Sequence, residues 1–190
     1  MRPVTSERLA CRLTSWLDSP YRFGRSNERR TLGLADYLLL LSMSLRGSSM
    51  PTISKYRDEH FAGVEALWQE AFPDDAPWNK ASTAIAEKMR FQPDLMFVAL
   101  EGPLVVGSAM AGYEGHRGWI SRVAVLRAHR HKGIGRALLL EAEKRLAALG
   151  CIKINLQVLE INSAVVRFYE EAGYKIEPRI SMSKRLPCKV

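Results

Sequence analysis

The segment Val123-Ala-Val-Leu-Arg-Ala-His-Arg130-His-Lys-Gly133-Ile-Gly135-Arg-Ala-Leu138 constrains the fold more than any other stretch of the chain. An apolar strand passes through a short basic loop into a helix, with two glycines at the join. Gly133 and Gly135 let the backbone approach a ligand closely, and the first amides of the helix have no intrahelical acceptor. Such a terminus holds an anion through its N–H donors and the helix dipole. Arg130, His131, Lys132 and Arg136 crowd the same place, so the expected anion is polyphosphate-like. A bare Gly-x-Gly reads as a tight turn with a solvated basic cap. The basic residues ahead of the glycines and the amphipathic helix behind them favour the anion site.

Two familiar phosphate-binding patterns are excluded. A nicotinamide dinucleotide site needs Gly-x-Gly-x-x-Gly after the first strand, with an acidic residue about twenty positions on. Here Leu138 holds the third glycine position, and several strands come first. A P-loop needs Gly-x-x-x-x-Gly-Lys-Ser/Thr, which does not occur.

The elements around this segment follow from periodicity. Thr52 to Tyr56 reads as a strand. Asp58 is the expected cap of a helix whose face is Phe61, Val64, Trp68 and Ala71, ending before Pro73. A second helix is expected from Asn79, as cap, to about Arg90. Met96 to Leu100 and Leu104 to Tyr113 form an antiparallel hairpin across Glu101-Gly-Pro, and Trp119 to Val125 follows as a strand. A long helix from about Gly133 to Leu149 stacks Leu138, Ala142, Leu146 and Leu149 on one side, and Gly150 ends it. Ile152 to Leu159 is read as a strand, Ser163 to Ala172 as a short helix closed by Gly173, and Tyr174 to Lys184 as one or two final strands. This order predicts an α/β (α+β) fold, a mixed and mostly antiparallel central sheet flanked by helices. Mixed folds of this kind host many activities, so function rests on the site.

Composition divides the chain. Residues 1–49 hold eight Arg, no Lys and four acidic residues, whereas residues 50–190 hold nine Lys, eleven Arg and sixteen acidic residues. The domain is therefore expected over 50–190, with 1–49 a disordered or dispensable extension and Met50 its natural start. The apolar run Tyr37 to Leu45 is too short to span a bilayer, and it lies too far in, next to Asp36, to be a secretory signal. Cys11, Cys151 and Cys188 form no Cys-x-x-Cys, and His60, His116, His129 and His131 form no ligand pattern, so neither disulfide framework nor metal is expected. These features point to a reduced, cytoplasmic protein without a membrane partner. The net charge of +8 raises nucleic acid as a partner, but no basic stripe with interleaved aromatics supports it.

Arg130-x-x-Gly133-x-Gly135 resembles motif A of the GNAT acetyltransferases, and Asn162-Ser-Ala-Val-Val-Arg-Phe168-Tyr169-Glu-Glu-Ala-Gly173-Tyr174 resembles that family's motif B. The two stand in the family's order, and the resemblance covers about residues 52 to 186. Gly112-Tyr-Glu-Gly-His-Arg-Gly118 and Pro77-Trp-Asn79 further resemble the bacterial YpeA-like branch. The resemblance implies an N-acetyltransferase that moves an acetyl group from acetyl-CoA directly to a primary amine, on a small molecule or a protein, as a monomer or homodimer. It implies that Val123, Ala124 and Val125 form the strand edge on which backbone groups of Val123 and Val125 pair with the pantetheine arm. The amides of His131, Lys132, Gly133, Ile134 and Gly135 would hold the pyrophosphate, with Arg130 and Arg136 beside them. Asn162 would orient the cofactor arm, and Tyr169 would lie near the thioester sulfur as general acid. Arg127 departs from the family, where many relatives have Pro, which suggests a less rigid turn.

Acyl transfer to an amine needs a neutral nucleophile, donors for the developing oxyanion and a proton for the thiolate. A backbone N–H between Val123 and Val125 is the oxyanion donor expected. The strand Trp119 to Val125 carries no carboxylate, so Glu114, His116, Glu160 or water remain as general base. Gln157 stands where ribosomal-protein N-terminal acetyltransferases resemble one another in having Glu, which counts against that subgroup. Trp78 reads as a core or lid aromatic. The alternative from another class is a catalytically weak acyl-CoA-binding regulatory module.

Overall fold

A computed structural model describes residues 50–186. The expected N-terminal extension, residues 1–49, lies outside the described residues. The elements in chain order are β1 (Thr52–Lys55), α1 (Phe61–Ala71), α2 (Ala81–Phe91), β2 (Met96–Glu101), β3 (Leu104–Tyr113), β4 (Arg117–Val125), α3 (Ile134–Ala148), β5 (Lys153–Asn155) and α4 (Ser163–Glu171). The strands make one sheet in the order β1-β2-β3-β4-β5, antiparallel except for the parallel pair β4 and β5. This is the mixed, mostly antiparallel sheet predicted.

Alternation along the strands supplies both faces of the sheet. Phe97, Ala99, Val106, Ala109, Ala111 and Ile120 pack against α3 through Ile134, Leu138, Leu139, Ala142 and Leu146. Met96, Val98, Val105 and Ala124 face α1 and α2 through Val64, Leu67, Trp68, Ala81 and Ile85. The strand β2 is thus buried on both sides, which explains its continuous apolar run Met96 to Leu100. β3 is longer than its partner, because Met96 at the start of β2 pairs with Met110. The exposed edge beyond is closed by α2. Lys88 donates to the Ala111 carbonyl, and Gln92 both accepts from the Tyr113 N–H at 3.1 Å and donates to its carbonyl at 2.6 Å. Residues one helical turn apart therefore stand in for missing strand partners.

Several local expectations are corrected. Asp58 does not cap α1; Asp58–His60 forms a 3-10 turn in which the His60 ring Nδ1 accepts from the Arg57 N–H at 3.0 Å. Asn79 does not cap α2 either. Pro77, with its fixed φ, opens a 3-10 turn over Pro77–Asn79, and the Asn79 side chain turns back to donate to Asp75 at 3.1 Å. α3 ends at Ala148, leaving Leu149 exposed rather than in the core. β5 spans three residues instead of the eight from Ile152 to Leu159, because β4 and β5 pair only from Arg117 and Lys153 to Trp119 and Asn155 and then part. The stretch from Tyr174 to Lys184 forms no strand. Pro178 lacks a donor, and side chains tie this stretch down instead: Lys153 to Glu177 at 2.5 Å and Gln157 to Ser181 at 2.6 Å. Among the described residues no helix is long and apolar enough to cross a membrane.

Candidate functional site

The parting of β4 from β5 leaves the C-terminal half of β4 with a bare edge. Val123 and Val125 are two residues apart, so their backbone groups point to the same side. The Val125 carbonyl accepts from Arg130 Nε at 3.1 Å, which places that side away from β3. The register against β3 shifts between Ser108–Ala124 and Met110–Ser121, so β4 carries one extra residue. Arg122 absorbs it at φ +56°, a conformation that disfavours a residue with a Cβ.

The bulge is held by a closed network. The Trp68 indole N–H donates to Ser108 Oγ at 2.9 Å, and Ser108 Oγ donates to the Arg122 carbonyl at 3.2 Å. The Arg122 guanidinium lies 5.0 Å from the Trp68 ring centroid and 4.9 Å from that of Phe72, and it pairs with Asp75. Burial alone would raise the Asp75 carboxyl, but hydrogen bonds from Arg122 and Asn79, with the charge of Arg122, hold it below its ordinary range. Ser108, fully buried, is satisfied in this way. Sequence reading missed these residues, because nothing local marks an arginine destined for positive φ.

Beyond Val125 the chain makes a 3-10 turn over Arg127–His129. Arg127, expected to loosen this turn, instead anchors it. Its N–H donates to Glu70 Oε1 at 2.7 Å, a bond no proline could make, and His129 Nε2 lies 2.8 Å from Glu101 Oε2. His131 then takes φ +60° and Gly133 φ +79°. Alternating handedness of this kind points successive amides into one concavity. The first bond into α3 comes from Ala137 N–H to the Gly133 carbonyl at 3.0 Å. The amides before it, from His131 to Arg136, are left as anion donors beside the side chains of Arg130, Lys132 and Arg136, all exposed.

The two glycines do different things. A Cβ on Gly135 would meet Phe168 of α4 at 3.4 Å and Val125 at 3.8 Å, ordinary contact distances, so Gly135 lies where α3, β4 and α4 come together but a small side chain would fit. Gly133 carries the left-handed turn. Ile134, offered for the anion site, is buried in the core, so its amide alone is available.

Tyr169 packs against the same α3-side core as Val123 and Val125. Its ring meets Phe168 edge-on at 5.0 Å and Tyr174 at 5.6 Å, and burial pushes the phenol up to about 12. Tyr174 donates its hydroxyl to Glu143 at 3.0 Å, and burial with that carboxylate raises it well above the ordinary tyrosine value. Asn162 begins α4 with no capping bond from its side chain, which leaves its amide exposed and available. Glu114 and His116 lie in the turn joining β3 to β4, at the other end of β4 from Val123. Seven residues of strand at about 3.3 Å each put His116 on the order of 20 Å away. Glu160 sits in the turn before α4. No group of His, Cys, Asp and Glu among the described residues could hold a metal. A cavity of about 450 Å³ between Phe91, Asp94, Tyr113 and Arg145 lies toward the far end of β3 and touches none of these groups.

A family model described as the acetyltransferase (GNAT) family matches residues 57–174. The chain is 40% identical over 133 residues to an acetyltransferase of Pectobacterium atrosepticum, a match covering 69% of this chain and 92% of that protein. It is 37% identical over 133 residues to an acetyltransferase of Yersinia pestis, again covering 69% and 92%. Among solved structures, an aminoglycoside N-acetyltransferase in complex with CoA superposes with a TM-score of 0.60 at 18% identity, covering 74% of this chain and 97% of that one. A transcriptional regulator from Bacillus halodurans superposes at 0.58 with 22% identity, covering 72% and 99%. The structural likenesses establish the fold; the family model and the sequence relatives establish kinship. The chain is an acetyltransferase of the GNAT family.

Proposed function

We propose that the chain transfers acetyl from acetyl-CoA directly to a primary amine, without an acyl-enzyme stage. The observation that carries this reading is the pairing of an amide concavity at His131 to Arg136 with a bare edge on β4 at Val123 and Val125. One suits a pyrophosphate, the other an amide-bearing arm. Arg130 holds the Val125 carbonyl at 3.1 Å, so an incoming pantetheine arm displaces that bond and frees Arg130 for a phosphate. The CoA-bound structural relative supports the same choice of ligand.

In this reading a neutral amine attacks the thioester carbonyl, and a backbone N–H at Val123 to Val125 donates to the oxygen as negative charge gathers there. The C–N bond forms first, giving a tetrahedral oxyanion, and its collapse breaks the C–S bond and restores the carbonyl. The Tyr169 phenol, protonated throughout the working range, gives its proton to the departing thiolate. Proton removal from the amine falls to Glu160, in the turn before α4, or to water, because Glu114 and His116 stand at the wrong end of β4, and Asp75 and Glu143 are occupied by Arg122 and Tyr174. Asn162 orients the cofactor arm with its uncommitted side chain.

Calorimetry with acetyl-CoA, followed by release of free CoA thiol across a panel of amines, tests the reading. Micromolar binding with amine-dependent thiol release and a product heavier by one acetyl group is the expected result. Binding without release for any amine returns the chain to the role of acyl-CoA sensor, and absence of binding removes the reading altogether.

A further inference from the structure

The turn Pro77–Asn79 presents Trp78 half exposed, with a cation already on its ring: the guanidinium carbon of Arg185 lies 3.9 Å from the ring centroid. That distance is well inside the range in which a ring quadrupole attracts a cation. Among the described residues Arg185 makes no ion pair, so the ring is its principal partner.

The contacts on either side fix where this meeting occurs. Trp78 belongs to the loop that Asp75 ties to Arg122, at the bulge next to Val123, and Asn79 braces Asp75 from within the loop. Arg185 belongs to the C-terminal stretch that Glu177 and Ser181 tie to the β5 side, through Lys153 and Gln157. Arg185 is four steps along the chain from Ser181, a reach of at most about 14 Å. The stretch therefore leaves the β5 side and ends on the loop anchored to β4. It does so where the two strands have parted. Apart from Arg179 N–H to Glu177 and Tyr174 N–H to Tyr169, no backbone bond holds it among the described residues, so Arg185 can be replaced without unmaking a sheet.

We propose that the face of Trp78 is a cation subsite on the acceptor side of the transfer site, that Arg185 stands in it, and that the acceptor carries a second positive charge besides the amine it offers. This rests on the acetyl-transfer reading and names its substrate class. The attacking amine must be neutral to react, so the charge that binds cannot be the one that reacts. A ring holds a cation without hydrogen-bonding it and leaves the molecule free to extend toward β4. Asp74, exposed in the same loop, adds negative potential.

The test compares 1,5-diaminopentane with 1-aminopentane, whose single nitrogen cannot hold the ring as a cation and attack as a neutral amine at once, by the KM for acetyl transfer on the full chain at saturating acetyl-CoA. The wild-type chain should favour the diamine. Arg185→Ala should lower the KM for the diamine about 3- to 10-fold and leave that for the monoamine unchanged. Trp78→Ala should abolish the preference, and Trp78→Phe should restore part of it. A tripeptide with a central lysine, set beside its norleucine counterpart, distinguishes a peptide-borne cation from a free polyamine; either pair showing the Trp78-dependent difference supports the subsite. Equal KM within both pairs in Arg185→Ala, or no response to Trp78→Ala, overturns the proposal. Acetyl-CoA binding, measured in the same samples, fails independently if the acetyl-transfer reading is the one at fault.

Discussion

Trp68 and Arg122 are joined twice, once by the ring under the guanidinium at 5.0 Å and once by the indole N–H, which reaches the Arg122 carbonyl through Ser108. The double tie keeps a residue with a Cβ at φ +56° and so turns Val123 toward the bare edge of β4. Ser108→Ala cuts one tie and buries the indole N–H without a partner. It should cost about 1 to 3 kcal/mol in denaturant unfolding and weaken acetyl-CoA binding beyond what the lost stability explains. Unchanged affinity would show that the bulge holds its shape by the guanidinium alone.

Asp75 gives this network a pH dependence. Its carboxyl is held lower in the folded chain than in the unfolded one, so the stability it contributes is fully present above the ordinary carboxylate pKa. That stability is lost as pH falls through the lowered value. Asp75→Asn should therefore lose stability near neutral pH and show a shallower acid limb in thermal melts as pH falls through and below the ordinary carboxylate range. A limb identical to that of the wild-type chain would assign acid unfolding to other carboxylates.

Gly133→Val should all but abolish acetyl-CoA binding. At φ +79° any side chain is strained, and a β-branched one most of all. The substitution tilts the amides of the concavity as well as filling it. Arg130→Ala should weaken binding more mildly and reduce its salt dependence, since one charge goes while the amides stay. Calorimetry that returned wild-type affinity for Gly133→Val would remove the anion site from this loop.

A chain starting at Met50 should fold and bind acetyl-CoA as the full chain does. Every element described, and the whole family match over residues 57–174, follows that residue. A clear fall in melting temperature on truncation would show that residues 1–49 pack onto the domain.

How far these features were legible in the sequence depends on how local their causes are. The loop at Gly133 was readable because a left-handed turn before a helix demands glycine, and basic residues flanking it demand an anion. The core faces were readable because Val64, Trp68, Leu138 and Leu146 repeat at the helical period. Asn79 misled, since the same side chain that caps a helix can as well brace a neighbouring carboxylate, and Pro77 chose the turn. Arg127 misled as well. Its partner Glu70 is 57 residues away, and no local pattern announces an N–H waiting for it. The bulge at Arg122 was invisible for the same reason, being enforced from Trp68, Ser108 and Asp75. Ile152 to Leu159 and Tyr174 to Lys184 alternate well enough to read as strands, but strand formation needs a neighbour, and β4 departs after Trp119.

Tyr169 carries the last prediction, and its environment decides the sign. Burial lifts the phenol to about 12, so between pH 6 and about pH 11 it keeps the proton that the departing thiolate needs. The pH profile of kcat should show no falling limb from Tyr169 in that window. Tyr169→Phe keeps the edge-on contacts with Phe168 and Tyr174 and removes only the hydroxyl. Stability near neutral pH and acetyl-CoA affinity should hardly change, while kcat falls about 10² to 10⁴-fold with a smaller effect on KM. Because the folded-state value is raised, the stabilisation from the protonated ring is complete below about pH 10 and lost as pH climbs toward about 12, a loss that Tyr169→Phe should lessen, the share of Tyr174 remaining. Phe168→Ala is the contrasting case. It removes the edge-on contact with Tyr169 and the packing on the core, and should cost about 3 kcal/mol first, with activity falling only in consequence. If Tyr169→Phe turns over at the wild-type rate where chemistry limits, the ring is packing and the thiolate takes its proton from water.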